Sequence, residues 1–267
     1  MLRDITLGQY YRTDSVIHRL DPRVKLATTF IFIISLFVVN NFVGYLLATL
    51  FLVMCIKLSN VPPKFIFRGM KTIFFLLLIT MVFNLFLTPG RAIFTLWKVT
   101  ITYEGLFLAI KMAFRLILLI SGSSIMTLTT TPNNLTDGLE SLLKPLKLFH
   151  VPVHEISMMM SIALRFIPIL LEETDKIMKA QMARCADFES GSLIKRAKSL
   201  VPLLVPLFIS AFRRALELAM AMEARCYRGG EGRTKMKPLI YQNRDRIAYA
   251  VVFGYFVLAI VVGRIIF

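Results

Sequence analysis

Two short stretches of this 267-residue chain carry the same tripeptide, KAQMARCADF at Ala183-Arg184-Cys185 and AMEARCYRGG at Ala224-Arg225-Cys226. The two arginines stand 41 positions apart, and each closes a long, methionine-rich run with helical patterning. Guanidinium presents five N–H donors in a planar fork, a geometry that suits carboxylates and carbonyls. Small residues on either side let a second surface close over it. One arginine at a helix C-terminus merely answers the macrodipole, for about 0.3–1 kcal/mol. Two tips with the same small flanks point instead to a pair of plugs, and a pair of plugs to a two-fold or pseudo-two-fold partner with two sockets.

The same 41-residue shift sets Glu172 and Glu173 opposite Arg213 and Arg214, 12 positions before each tip. The two helices are therefore expected to cross in an X near those four charges, with the tips splayed apart. Met158, Met159 and Met160, with Met178, Met182, Met220 and Met222, suit a surface that must fit several partners, because methionine is unbranched and repacks easily. Elsewhere the sequence offers little for chemistry. It has no GxxxxGK[ST] run and so no P-loop of its own. His150 and His154 are four apart, but Pro152 between them spoils a shared helical face, so HVPVHE reads as a surface loop and no metal site is expected. His18, beside Arg19 and Asp21, reads as part of a structured N-terminal arm. No cofactor is expected on this chain.

The elements that must position these groups follow from composition. Hydrophobic residues make up 57% of the chain, yet it carries 32 Lys and Arg against 16 Asp and Glu, a formal charge of +16. A membrane protein with a basic face toward the cytoplasmic leaflet satisfies both facts. Nucleic acid is not expected as a partner, because the aromatics sit inside the apolar runs and are not interleaved with the basic clusters. Cys55, Cys185 and Cys226 form neither a CxxC nor an even framework and read as free thiols. No signal peptide is expected, since the first residues are polar.

The apolar run from Val24 to Ile56 is too long for one ~30 Å crossing and reads as two spans turning at Asn40-Asn41. A third runs from Thr72 to Leu87, stopped by Thr88-Pro89-Gly90. A fourth covers Leu106 to Thr127, and a last one Ile247 to Ile266. The fold class is thus an all-α membrane protein with about five transmembrane helices. Its regions are a cytoplasmic arm (1–25), four spans (26–129), a cytoplasmic region (130–246) and the last span (247–267). Basic residues crowd the N-terminal arm and the loop after the second span, which places the N-terminus and residues 130–246 in the cytoplasm of a multi-pass cell-membrane protein. Residues 130–246 hold more than half of the 32 Lys and Arg. It reads as a short helix from Leu135 to Phe149 with Asn134 as N-cap, then long helices from Val153 to Arg184 and from Ser192 to Arg225. Pro168 is expected to bend the first long helix, and Pro202 and Pro206 the second.

These residues carry a resemblance. The opening ITLGQYYRTDSVIHRLDPRVKL is similar to the N-terminal signature of the transmembrane T component of energy-coupling factor (ECF) transporters, prokaryotic importers of vitamins and metals. The family's paired Ala-Arg-Gly tips match residues 183–185 and 224–226, and KAQMAR-ADF and AMEAR-YRGG around them match as well. The resemblance implies a non-catalytic subunit that joins two ATP-binding-cassette ATPases, the users of ATP and Mg, to a substrate-binding S component. It implies that two coupling helices cross in an X and that their arginine tips dock in grooves of the ATPases. Both tips here have cysteine where the family has glycine, which makes a left-handed turn after the arginine less comfortable. The alternative is a stand-alone channel or an intramembrane enzyme with a basic cytoplasmic face. An enzyme needs ionisable groups within the spans; only Lys111 and Arg115 qualify, and no carboxylate accompanies them.

Overall fold

The computed structural model describes residues 10–89, 91–96, 99–186, 188, 194, 198–230, 236 and 238–265. In chain order the elements are α1 (Pro22–Val38), α2 (Phe42–Ser59), α3 (Pro63–Leu87), β1 (Ala92–Leu96), β2 (Val99–Thr102), α4 (Tyr103–Thr129), α5 (Pro132–Leu143), a 3₁₀ turn (Lys144–Phe149), α6 (Val153–Ala183), α7 (Val201–Ala224) and α8 (Asn243–Ile265). They form two compact units, one of Gly8–Ser141 with Leu239–Phe267, the other containing Leu142–Pro238.

The described residues are mostly helical. Among them a two-stranded antiparallel hairpin pairs Ala92 with Thr102 and Leu96 with Val99. Sequence reading leaves this stretch between the third and fourth spans unassigned. Asn40-Asn41 does separate α1 from α2, and Pro62-Pro63 starts α3 nine residues earlier than the apolar run suggests. The short helix also begins early. Asn134 is not its N-cap: α5 starts at Pro132, and the Asn134 N–H donates to Thr131 Oγ1 at 3.3 Å. From Lys144 onward the backbone tightens into the 3₁₀ turn, because Pro145 has no N–H to continue the α ladder. The helix expected from Ser192 has its described part from Val201; residues 189–193 and 195–197 lie outside the description, as do residues 5–9 of the opening signature. Pro202 sits in the first turn of α7, where the missing N–H costs nothing, and only Pro206 is interior.

Four described helices are long and apolar enough to cross a bilayer: Phe42–Ser59, Tyr103–Thr129, Val153–Ala183 and Asn243–Arg264. This set differs from the five expected spans. It takes in α6 and leaves out α1, which has 17 residues, and α3, whose apolar stretch is Ile73–Phe86. In the membrane unit the outer faces are apolar, with Phe42, Leu50, Phe74 and Phe75 all exposed. Its core gathers Phe32, Leu36, Ala48, Leu52, Leu118, Ile125, Tyr255 and Ala259. Phe51 and Tyr255 stack there at 4.3 Å, and Ser35 Oγ lies 2.9 Å from Tyr255 Oη.

A polar knot ties the ends of these helices. Asp21 caps α1 by accepting from Arg23 N at 2.9 Å, and its carboxylate pairs with the Arg23 guanidinium at 2.8 Å. Asp245, 1% exposed in the first turn of α8, accepts from the N–H groups of Asp21 (3.0 Å) and Gln242 (2.8 Å). Buried Lys25 donates to the carbonyls of His18 (3.0 Å) and Thr129 (2.8 Å). His18 Nε2 meets the Tyr11 carbonyl at 3.0 Å and so carries the proton, leaving Nδ1 to accept from Ser15 Oγ at 2.7 Å. Burial holds this neutral imidazole below its ordinary pKa. The described part of the arm is therefore structured, as His18 suggested.

Candidate functional site

The two tips end their helices in the same way. Arg184 caps α6 with φ −92° and ψ 20°, and Arg225 caps α7 with φ −93° and ψ 14°. Each following cysteine turns left-handed, Cys185 at φ 64° and Cys226 at φ 55°. In the first tip Ala186 N donates to Gln181 O and Cys185 N to Met182 O, both at 3.0 Å. In the second Tyr227 N donates to Met222 O at 3.0 Å and Cys226 N to Glu223 O at 2.8 Å. These are paired Schellman caps, with glycine's usual place held by cysteine. Three residues after Cys226, Gly229 is left-handed as well, at φ 88°.

The caps pair the carbonyls of Gln181 and Met182, and of Met222 and Glu223, with backbone N–H groups, without calling on either guanidinium. Ala183, Arg184, Cys185, Ala224, Arg225 and Cys226 are all exposed. Among the described residues no ion pair holds either guanidinium, and both thiols are free. Each helix thus ends in a tight turn that presents an exposed cation between small residues.

Between the tips, α6 and α7 pack against each other. Arg214 Nη2 lies 3.3 Å from Glu173 Oε2, with both side chains about one-third exposed. Glu172 and Arg213 face outward and are exposed. Gln181 Nε2 donates to Pro202 O at 3.3 Å, and the His154 ring lies so close to Gly230 that a Cβ there would stand 2.3 Å from its Cδ2. Going up α6 the partners come from progressively earlier positions, so the two helices run antiparallel. Contact continues to the end of α6, past the ion pair. His154 belongs to the first turn of α6 and not to a loop; His150 is the left-handed cap of the 3₁₀ turn at φ 60°.

Of the methionines, Met159 is exposed, while Met158 and Met160 are half-buried. A longer apolar face escaped sequence reading: Val205, Phe208, Phe212, Leu216 and Met220 on α7 are all exposed. Their spacing of three to four was a legible signal, masked by the charged residues interleaved with it. Arg115 serves the fold, donating to Tyr45 Oη at 2.9 Å and reaching Asn40 Oδ1 at 3.5 Å in the first turn between spans.

Comparison with known proteins bears on this arrangement. The family model described as "Cobalt transport protein" matches residues 13–236. A protein of Clostridium kluyveri, named energy-coupling factor transporter transmembrane protein, is 59% identical over 251 residues, 93% of each chain. Proteins of the same name from Ruminiclostridium cellulolyticum and Bacillus subtilis are 57% and 49% identical, over at least 92% of each chain. This chain belongs to the family of ECF transporter transmembrane components. Both tips, the ion pair between α6 and α7, and the Asp21 cap fall within the matched residues. As a family member the chain is a multi-pass membrane protein of a transport system.

Proposed function

We propose that this transmembrane component couples two ATP-binding-cassette ATPases to a substrate-binding S component for uptake of a vitamin or other micronutrient. The observation that carries the proposal is the identity of the two tips: the same left-handed cap, the same exposed arginine, and the same small neighbours. One tip offers one plug; two equal ones suit the two grooves of an ATPase dimer, identical or not. On this reading the chain itself is non-catalytic and binds no cofactor, and ATP and Mg belong to the ATPases. The basic excess of the arm and of residues 130–246 supports placing both in the cytoplasm, where the ATPases are.

The tips follow the ATPases as these close on ATP and reopen. The pairing of α6 and α7 makes each tip's movement felt along the other helix. The exposed apolar face of α7, with Met159 and its neighbours on α6, is suited to holding the S component, because flexible and aromatic side chains repack against more than one surface. The test is co-purification with the ATPases. Arg184→Ala and Arg225→Ala are each expected to weaken the complex, since truncating a docked, hydrogen-bonded charge costs about 2–5 kcal/mol. The double variant is expected to lose the ATPases and transport together. Full transport by the double variant, with ATPases bound, refutes the proposal.

A further inference from the structure

The membrane unit holds a cavity of about 240 Å³ between the start of α1, the end of α2, the end of α4 and the start of α8. Residues 16–20 of the arm border it on one side. All these helix ends belong to the end of the bundle that carries the polar knot. Its walls are apolar, formed by Phe32, Phe51, Ile125 and Val252 among others. From Lys25 to Phe32 it follows α1 for seven residues, about 10 Å.

Three features say what it accepts. First, an apolar cavity of ~150 Å³ already excludes water and takes up benzene, so this larger one suits hydrocarbon. Second, Met54, Leu58, Ile247 and Val251 line it and are also exposed, so it opens through an apolar mouth onto faces that look toward lipid. Third, cations stand at one end. Lys25 lines the cavity with two of its three N–H groups given to carbonyls. Arg244 lines it too, and its Nε is buried with no hydrogen-bond partner among the described residues. The nearby carboxylates are committed elsewhere, Asp245 to two backbone N–H groups and Asp21 to Arg23.

We infer that this cavity is a lipid site, taking one acyl chain of an anionic phospholipid whose phosphate sits on Arg244. A phosphodiester supplies acceptors to the orphaned guanidinium, and the net negative headgroup answers Arg244 and Lys25 together. The acyl chain lies against Phe32, Phe51, Ile125 and Val252.

The full-length protein, delipidated in mild detergent, is mixed with phosphatidylglycerol, phosphatidylcholine or free oleate and weighed by native mass spectrometry. One phosphatidylglycerol per chain is expected, bound in preference to the other two. Arg244→Gln is expected to weaken that binding roughly fivefold to tenfold, in line with the loss of one headgroup cation, and Arg244→Lys to restore most of it. Ala248→Phe, which fills the cavity, and Val251→Trp, which covers the mouth, are expected to abolish it; thermal unfolding without lipid confirms that at least one of them folds. Equal binding of phosphatidylglycerol by the wild type and Arg244→Gln, preference for phosphatidylcholine or oleate, or undiminished binding in a folded blocking variant would each overturn the inference.

Discussion

Glu173 and Arg214 are joined at 3.3 Å across the same 41-residue offset that separates Arg184 from Arg225. Each partner of the ion pair stands 11 residues before its own tip, about 16 Å along a helix. Because the helices run antiparallel, those two distances point in opposite directions and add. The pair is therefore a registration mark, equidistant from the two tips.

Charge exchange tests this. Glu173→Arg sets like charges together at a site about one-third exposed and is expected to cost about 1 kcal/mol or more, above the ~0–1 kcal/mol of a fully exposed pair. Adding Arg214→Glu restores opposite charges and is expected to recover most of the lost complex stability, measured as the thermal unfolding of the assembled transporter. The same exchange at Glu172 and Arg213, both exposed and outside the pair, is expected to change little.

The tips themselves carry strain. Cys185 at φ 64° and Cys226 at φ 55° occupy a left-handed conformation that costs an ordinary residue about 1–2 kcal/mol. Cys185→Gly and Cys226→Gly are each expected to stabilise the chain by about 0.5–1 kcal/mol, the unfolded-state entropy of glycine offsetting part of the relief. ATPase docking is expected to survive both changes. Cys185→Val is expected to lower the unfolding temperature, since β-branching makes the left-handed turn worse.

Those cysteines are also natural probes of sidedness. Both thiols are exposed, whereas Cys55 is half-buried in α2. A membrane-impermeant maleimide is expected to leave Cys185 and Cys226 unlabelled in intact cells and to label them in inside-out vesicles. Labelling in intact cells places the tips outside and removes the ATPase interface.

Asp245 holds the first turn of α8 to the start of α1 through the Asp21 N–H at 3.0 Å, and closes its own helix entry through the Gln242 N–H at 2.8 Å. Asp245→Ala leaves both without an acceptor, at least one of them buried, and is expected to cost about 2–3 kcal/mol in urea or thermal unfolding. Asp245→Asn keeps one acceptor oxygen and is expected to cost roughly half as much.

The amino-acid sequence by itself determined the features that depend on local order. Apolar runs interrupted at Asn40-Asn41 and at Thr88-Pro89 marked helix ends, because turn residues act on their own backbone. Repetition of Ala-Arg-Cys marked the tips, and a shift of 41 residues brought two acidic and two basic positions into register. Tertiary structure decided the rest. Which acid meets which base depended on the rotation of α6 and α7 about their axes, which turned Glu173 and Arg214 inward and left their neighbours in solvent. The antiparallel course of the pair rested on Gln181 with Pro202 and on His154 with Gly230, contacts that no periodicity announces. Asp245 reaches Asp21 across 224 residues, a hydrogen bond with no local pattern to betray it. A backbone donor left without a partner is costly in a buried place, and only the folded chain shows which distant carboxylate comes to meet it.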